Sequence, residues 1–203
     1  LLAEGAAFRA MVESGRLGSM ILWGPPGTGT TTLANLVAKE VDGTLERLSA
    51  TAAGVKDVRE VLARADQRLG EGRGRTVLFL DEIHRFNKAQ QDALLPGVED
   101  GTVTLVGATT ENPFFEVNSP LISRATVFRT EALTVDEVGD LLRRAASDPM
   151  RGVGDVAVDE EAIEALAERV GGDARLALNS LETAATIAIG RNEPSVTEGD
   201  IEV

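Results

Sequence analysis

The 203-residue chain has no cysteine and no tyrosine, one tryptophan and one histidine. Without thiols it can form neither disulfides nor thiolate metal centres, which fits a reducing compartment. Aromatic residues make up 3% of the composition, so packing within an ordinary hydrophobic content of 43% has to rest on leucine, valine, isoleucine and alanine. No apolar run approaches the length of a membrane span, and the opening Leu1, Leu2, Ala3 and Glu4 is not a signal peptide. No membrane partner and a cytoplasmic location are therefore expected. Internal repeats and low-complexity linkers are also missing. Positive charge is in deficit: the formal net charge of -13 repels phosphate backbones at long range and leaves nucleic acid only local basic patches to meet.

What is present begins with Gly24-Pro25-Pro26-Gly27-Thr28-Gly29-Thr30-Thr31-Thr32. This stretch follows the apolar run Ser19 to Trp23 and precedes Leu33, Leu36 and Val37 at helical spacing, which reads as strand, tight loop, helix. Backbone amides of Gly27, Thr28 and Gly29 are expected to point into one concavity, joined by the unpaired N–H groups of the helix's first turn. That is the setting of a phosphate-binding loop. The pattern is G-x-x-x-x-G-K-[ST], except that Thr30 occupies the lysine position; Thr31 fills the Mg²⁺-ligand position. Threonine is uncharged and too short to reach the β- and γ-phosphates. A hydrogen bond to a charged partner is worth roughly 1.5 to 3 kcal/mol, so nucleotide affinity is expected to fall about ten- to a hundred-fold. The loss in the transition state is expected to be larger.

Along the chain, Ala7, Phe8, Met11 and Val12 predict a helix closed by Gly15, and Thr31 to Glu40 a helix behind the loop. Thr44 to Ala50 alternates as a strand, and Val58, Val61, Leu62, Ala65 and Leu69 give an amphipathic helix. The apolar run Thr76 to Leu80 suits a parallel strand covered on both faces. Asn87 with Gln90 forms a capping-box pattern for a helix through Leu95, and Thr102 to Thr109 and Ala125 to Thr130 complete five strands. Strands alternating with helices imply an α/β doubly wound parallel sheet. From Glu131 only helices are expected: one capped by Thr134 with Glu137 and reaching Ala146, one capped by Asp159 with Val158 and Ile163 as a staple, and one from Asp173 to Gly190. Thr197 with Asp200 reads as the start of a fourth, cut off at Val203, which suggests a piece of something longer. The expected division is 1–130 and 131–203, with a hinge near Thr130 to Thr134.

Asp81 and Glu82 stand where the strongest strand runs out, beside the place the loop would occupy. An aspartate there can hold Mg²⁺ through water, and the next carboxylate can polarise an attacking water. Thr109, Thr110 and Glu111 end another strand, where a hydroxyl can touch a γ-phosphate or serve ordinary turn chemistry. Arg124 ends a short helical segment, where it is either a surface charge or a group for a neighbouring subunit's γ-phosphate, and Arg175 is ambiguous in the same way. Trp23 reads as core.

Three separated runs carry a resemblance: Asp81-Glu82-Ile83-His84-Arg85-Phe86-Asn87-Lys88, Gly107-Ala108-Thr109-Thr110-Glu111-Asn112-Pro113, and Gly172-Asp173-Ala174-Arg175 with Ala177-Leu178-Asn179. Together they resemble the AAA+ ATPases of the replication-associated recombination protein A family. That family includes the Werner helicase-interacting protein and stands near clamp loaders and RuvB-type motors. The resemblance implies a five-stranded P-loop sheet sandwiched by helices, followed by a small all-α lid. By it, Gly24 to Thr31 is Walker A, and Asp81 and Glu82 are Walker B. Thr110 or Thr109 is sensor 1, Arg124 a trans-acting arginine finger, and Arg175 the sensor 2 arginine. It also implies ATP and Mg²⁺ and a homo-oligomer, nucleoid-associated in the cytoplasm. DNA at forks and single-stranded gaps, single-stranded DNA-binding protein and replisome components are the implied partners. His84 reads as structural or state-coupling. Lys56, Arg59 and Lys88 read either as DNA-backbone contacts inside a ring or as solvated helix charges. Two functions stay open, a DNA-dependent ATPase motor or remodeller and a non-hydrolysing nucleotide-sensing scaffold; Thr30 favours the second.

Overall fold

A computed structural model describes residues 7–14, 17–154 and 156–201. The helix stop expected at Gly15 lies outside them, as do Leu1 to Glu4 and Val203. Among the described residues the chain falls into two compact units, bounded as Leu1–Gly24 with Thr30–Thr130 and Pro25–Gly29 with Glu131–Val203.

The first unit is a five-stranded, wholly parallel sheet. Its strands are β1 (Met20–Trp23), β2 (Thr44–Ser49), β3 (Thr76–Asp81), β4 (Val103–Thr109) and β5 (Thr126–Arg129), in the order β2-β3-β4-β1-β5. Helices α1 (Ala7–Glu13), α2 (Thr30–Glu40), α3 (Val55–Gly70) and α4 (Lys88–Glu99), with the short α5 (Pro113–Glu116) and α6 (Ser119–Ile122), complete it. Alternation along the strands sorts the core into two layers. Ile21, Leu78, Leu80 and Leu105 meet Val58, Val61 and Ala65 of α3 and Leu94 of α4 on one face. Leu22, Val77, Phe79, Val106 and Ala108 meet Leu33, Ala34 and Val37 of α2 on the other, where Phe8 also packs edge-on against Phe128.

Two local expectations change in this unit. The helix opened by the Asn87–Gln90 capping box does not stop at Leu95 but carries Pro96 within it and ends at Glu99. Packing against α3 overrides the proline: a Cβ on Gly97 would lie 2.4 Å from a Leu62 methyl, so the two helices approach through a glycine. Leu69, at the end of the α3 stripe, is exposed rather than buried. On the edge strand β2, Glu46 accepts hydrogen bonds from Arg64 and Arg68 of α3. The Arg64 bond and then that of Arg68 hold its carboxyl below the usual glutamate range, against the opposing effect of partial burial.

The second unit is mainly helical, with α7 (Val135–Ser147), α8 (Glu160–Arg169) and α9 (Ala174–Gly190) around Leu142, Leu166, Leu181 and Ala188. The Thr134–Glu137 capping box is formed, and Asp173 caps α9 through its carboxylate. Asp159 holds the N-cap position of α8 without a side-chain bond. Helices alone do not describe this unit: β6 (Ala157–Val158) and β7 (Ser195–Val196) form a parallel ladder two residues long, too short to show a period in sequence. The fourth helix is a single 3₁₀ turn, Glu198–Asp200. Asp200 is buried there, accepting from the Thr197 amide at 2.9 Å, the Thr197 hydroxyl at 2.8 Å and Arg191 at 3.2 Å. The Thr197 amide, then its hydroxyl, and last the Arg191 charge draw its pKa below the ordinary value of 3.8. A carboxyl depressed by folding stabilises at neutral pH, and that contribution is lost as pH falls through the folded pKa. Asp200→Asn is therefore expected to melt below the parent at pH 7, with the gap narrowing as pH falls below the ordinary aspartate value of 3.8, in thermal unfolding followed by circular dichroism.

Candidate functional site

All strands of the first unit run the same way, so their C-terminal ends share one rim. At its middle, β1 lies between β4 and β5, and the ladder continues one residue beyond it. The Gly24 amide donates to the Thr109 carbonyl at 3.1 Å, and the Thr130 amide donates to the Trp23 carbonyl at 2.7 Å. A Cβ on Gly24 would stand 2.2 Å from the Thr130 carbonyl oxygen, so the chain leaves the sheet here only as glycine. Helix α2 then opens at Thr30, placing Thr30, Thr31 and Thr32 in its first turn with their unpaired amides at this rim.

Asp81 ends β3. Leu80 pairs with Gly107, so Asp81 stands beside Ala108, and its side chain takes the sheet face of Phe79 and Ala108, the face α2 covers. Asp81 and Thr31 are thus brought to one rim and one face. Ser49, in register with Asp81 at the end of β2, joins them and was missed in the sequence, where strand register is invisible. Glu82 follows with φ 53 and ψ 46, a left-handed conformation for a residue with a Cβ, and its carboxylate is 3.4 Å from Arg85. Such backbone costs on the order of 1 kcal/mol and holds the side chain where relaxed geometry would not.

The two strand-end threonines divide. Thr109 is buried on the α4 face; its hydroxyl accepts from the Glu111 amide at 3.0 Å, lies 3.2 Å from the Glu111 carbonyl, and meets His84 Nδ1 at 3.0 Å. His84 thereby ties the turn after β3 to the end of β4. Thr110 is exposed at the rim. Trp23 is half-buried, with the Arg129 guanidinium 5.6 Å from its ring centre. Arg124 is not brought to this rim. It precedes β5, where the Thr126 amide donates to Ser19 just before β1, and its guanidinium binds Glu99 and the Pro120 carbonyl. That is the opposite edge of the sheet.

Within the second unit, the loop Pro25–Gly29 turns through Gly27 and Gly29, with φ of 74 and 83, and is braced by the Thr28 hydroxyl donating to Pro25 at 3.0 Å. The Ala174 amide donates to Gly27 at 3.2 Å, and a Cβ on Gly27 would collide with Asp173 at 1.9 Å. Arg175 is exposed in the first turn of α9. Among the described residues no group of three or more histidine, cysteine, aspartate or glutamate side chains is placed to hold a metal. A cation at this rim would rest on one carboxylate and one hydroxyl, with the rest of its shell from phosphates and water. That is the hard-oxygen set Mg²⁺ takes, so Asp81 and Thr31 fit it. No helix among the described residues is long and apolar enough to cross a membrane.

The sequence matches the family described as AAA, the ATPase family associated with various cellular activities, over residues 20–152. It is 52% identical to replication-associated recombination protein A of Escherichia coli over 93% of this chain and 42% of that protein. It is 46% identical to ATPase WRNIP1 of Dictyostelium discoideum over 91% of this chain and 21% of that one. The chain thus spans less than half the length of these relatives. The fold superposes on the Thermotoga maritima RuvB Holliday junction branch migration motor with a TM-score of 0.77 at 30% identity, covering 96% of this chain and 63% of that one.

Gly24→Ala forces a methyl against a backbone carbonyl that cannot swing aside. It is expected to cost about 1 to 3 kcal/mol or more in urea unfolding, whereas Gly18→Ala, with nothing within 4 Å of its Cβ, is expected to be nearly neutral.

Proposed function

The chain belongs to the AAA+ ATPases and, within them, to the family of replication-associated recombination protein A and WRNIP1, and from that premise we propose that it is the nucleotide-handling part of a DNA-dependent ATPase that remodels stalled or gapped replication intermediates. The observation that carries this reading is the placement of Thr31 and Asp81 on one face of one rim, where the chain leaves β1 at Gly24. In this reading residues 1–130 are the base and 131–203 the lid, and ATP lies against the loop from Gly24 to Thr32. Thr31 and Asp81 hold Mg²⁺, which when bound neutralises charge on the phosphates. Glu82 orients the attacking water, and the exposed Thr110 contacts the γ-phosphate while Thr109 stays engaged with His84. Arg124, at the far edge of its own sheet, acts on the nucleotide of the next copy, which makes the working form a homo-oligomer in the cytoplasm. Arg175 is the sensor 2 arginine of the second unit. DNA, single-stranded DNA-binding protein and replisome components are the partners.

Thr30 weakens this site. With no ammonium for the β- and γ-phosphates, the chain binds and hydrolyses ATP poorly, and this one residue supports the second reading, a nucleotide-sensing scaffold that signals through assembly. The discriminating experiment uses the full-length protein. Thr30→Lys is expected to raise ATP affinity about ten- to a hundred-fold by isothermal titration calorimetry, and to raise DNA-stimulated phosphate release more. Tight binding without turnover in that variant favours the scaffold. Combined with Thr30→Lys, Glu82→Gln is expected to keep ATP bound and lower phosphate release by about a hundredfold or more; undiminished release would remove Glu82 from its role.

A further inference from the structure

Two of the six phenylalanines stand outside the core. Phe8, Phe79, Phe86 and Phe128 are buried, whereas Phe114 and Phe115 are 61% and 84% exposed, side by side on α5. Single exposed apolar residues are ordinary, but adjacent rings left in water mark a surface that another surface covers. The rings cannot turn inward, because the backbone beneath them is fixed. Asn112 Oδ1 accepts from the Phe114 amide at 3.1 Å, and Pro113 and Val117 are buried on either side. The buried amide of Gln91 on α4 donates to the Glu116 carbonyl at 3.0 Å and accepts from the Asn118 amide at 2.7 Å. Glu111 and Glu116 flank the pair; both are exposed, and neither carboxylate has a partner among the described residues. Acidic flanks are the reverse of the positively charged groove in which bases stack on aromatic rings, so nucleic acid is the wrong cover.

A surface of the complementary kind lies in the second unit. From the entry of α7 along one of its sides, Leu133, Glu137, Asp140, Leu141 and Arg144 line, with Arg143, an open groove of about 590 Å³. That is more room than two phenyl rings fill. The acids of the groove are already engaged: Glu137 accepts from the Thr134 amide at 2.9 Å, and Asp140 accepts at 3.0 Å from Arg143, which also binds Glu160. Arg144 is exposed and its guanidinium has no partner among the described residues. The groove therefore offers two leucines and one free positive charge.

We propose that Phe114 and Phe115 of one copy dock in the α7 groove of another copy, with the carboxylates of Glu111 and Glu116 turned to its Arg144. Knob and groove are different surfaces, so the contact is head-to-tail, the kind that closes rings. The segment that carries the rings runs on through α6 to Arg124, and a head-to-tail order is what the arginine needs to act on another copy's nucleotide; to that extent the inference rests on the ATPase reading. Aromatic anchors seated in a desolvated pocket within a polar rim carry most of the binding energy of protein interfaces, and charge complementarity at the rim fixes their register.

The test is cross-linking between copies of the full-length protein. Phe115→Cys and Leu141→Cys, the second carrying a size tag, are co-expressed and treated with a short bismaleimide. The 203 residues hold no cysteine, and each variant expressed alone gives the background. A mixed species about tenfold above that background is expected, and adding Arg144→Glu to the Leu141→Cys copy is expected to lower it about tenfold. Should Leu141→Cys not fold, the exposed Arg144→Cys takes its place and the same mixed species is expected. Absence of the mixed species overturns the proposal, as does Phe115→Cys linking chiefly to itself, since that contact is two-fold rather than head-to-tail. If the mixed species is absent and Phe114→Ser with Phe115→Ser weakens binding of single-stranded DNA, the rings serve nucleic acid instead. ATP binding by the Thr30→Lys protein is read separately: binding without the mixed species sinks this inference alone, and the mixed species without binding leaves the contact standing and removes the ATPase reading.

Discussion

The strand β1 is gripped on both sides past its own last residue, and the site depends on that grip. The amide of Gly24 and the carbonyl of Trp23 complete ladders to β4 and β5, so the chain leaves the sheet from its interior at a height set by two neighbours. Thr130 presses against the bare Cα of Gly24 and leaves no other course. Because every neighbour is parallel, whatever ends β3 and β4 arrives at the same rim as the start of α2. The acidic pair needs no flexible adjustment to reach it; register alone brings Asp81 to the α2 side.

The two faces of the sheet then divide the work. On the α2 face, Asp81 and Ser49 stand beside the first turn of the helix carrying Thr30, Thr31 and Thr32. On the opposite face, His84 and Thr109 bind one another, and Gln91 extends the connection into the layer under α4. The first face offers oxygen ligands to a cation and phosphate. The second is built of side-chain hydrogen bonds against a packed core, where a displaced group must find another partner or bear its desolvation cost.

Much of this layout is legible in the sequence because it depends on short-range chemistry. The apolar run ending in Asp81 can only be a covered strand, and the Asn87–Gln90 and Thr134–Glu137 pairs mark helix starts by the reciprocal bonds seen in the structure. Their legibility ends where distant segments decide. Pro96 reads as a stop, but α3 closes over Gly97 and the helix runs on. The β6/β7 ladder joins residues nearly forty positions apart and is two residues long. For the site, the strand-end positions of Asp81, Glu82 and Thr110 are readable, as is the opposite edge for Arg124, which precedes a strand of a parallel sheet; that β1 lies between β4 and β5 is not, since it follows from the order of strands. Gln91 is the plainest omission. In a row of helical polar residues it looks solvated, and only burial distinguishes it from Gln90, whose amide makes the capping box and donates to Ala53.

The strand order has a consequence for biosynthesis. β1 is the first strand made and the last to be enclosed, since its partners are β4 and β5, more than eighty residues later. A ribosome that has released only β1 through β3 has exposed two strands that pair with each other and one that has no neighbour. The exit of the chain at Gly24 is confined only once Thr130 has emerged to lie against it. A product truncated before β5 therefore lacks both the second neighbour of β1 and the Thr130 contact that confines Gly24.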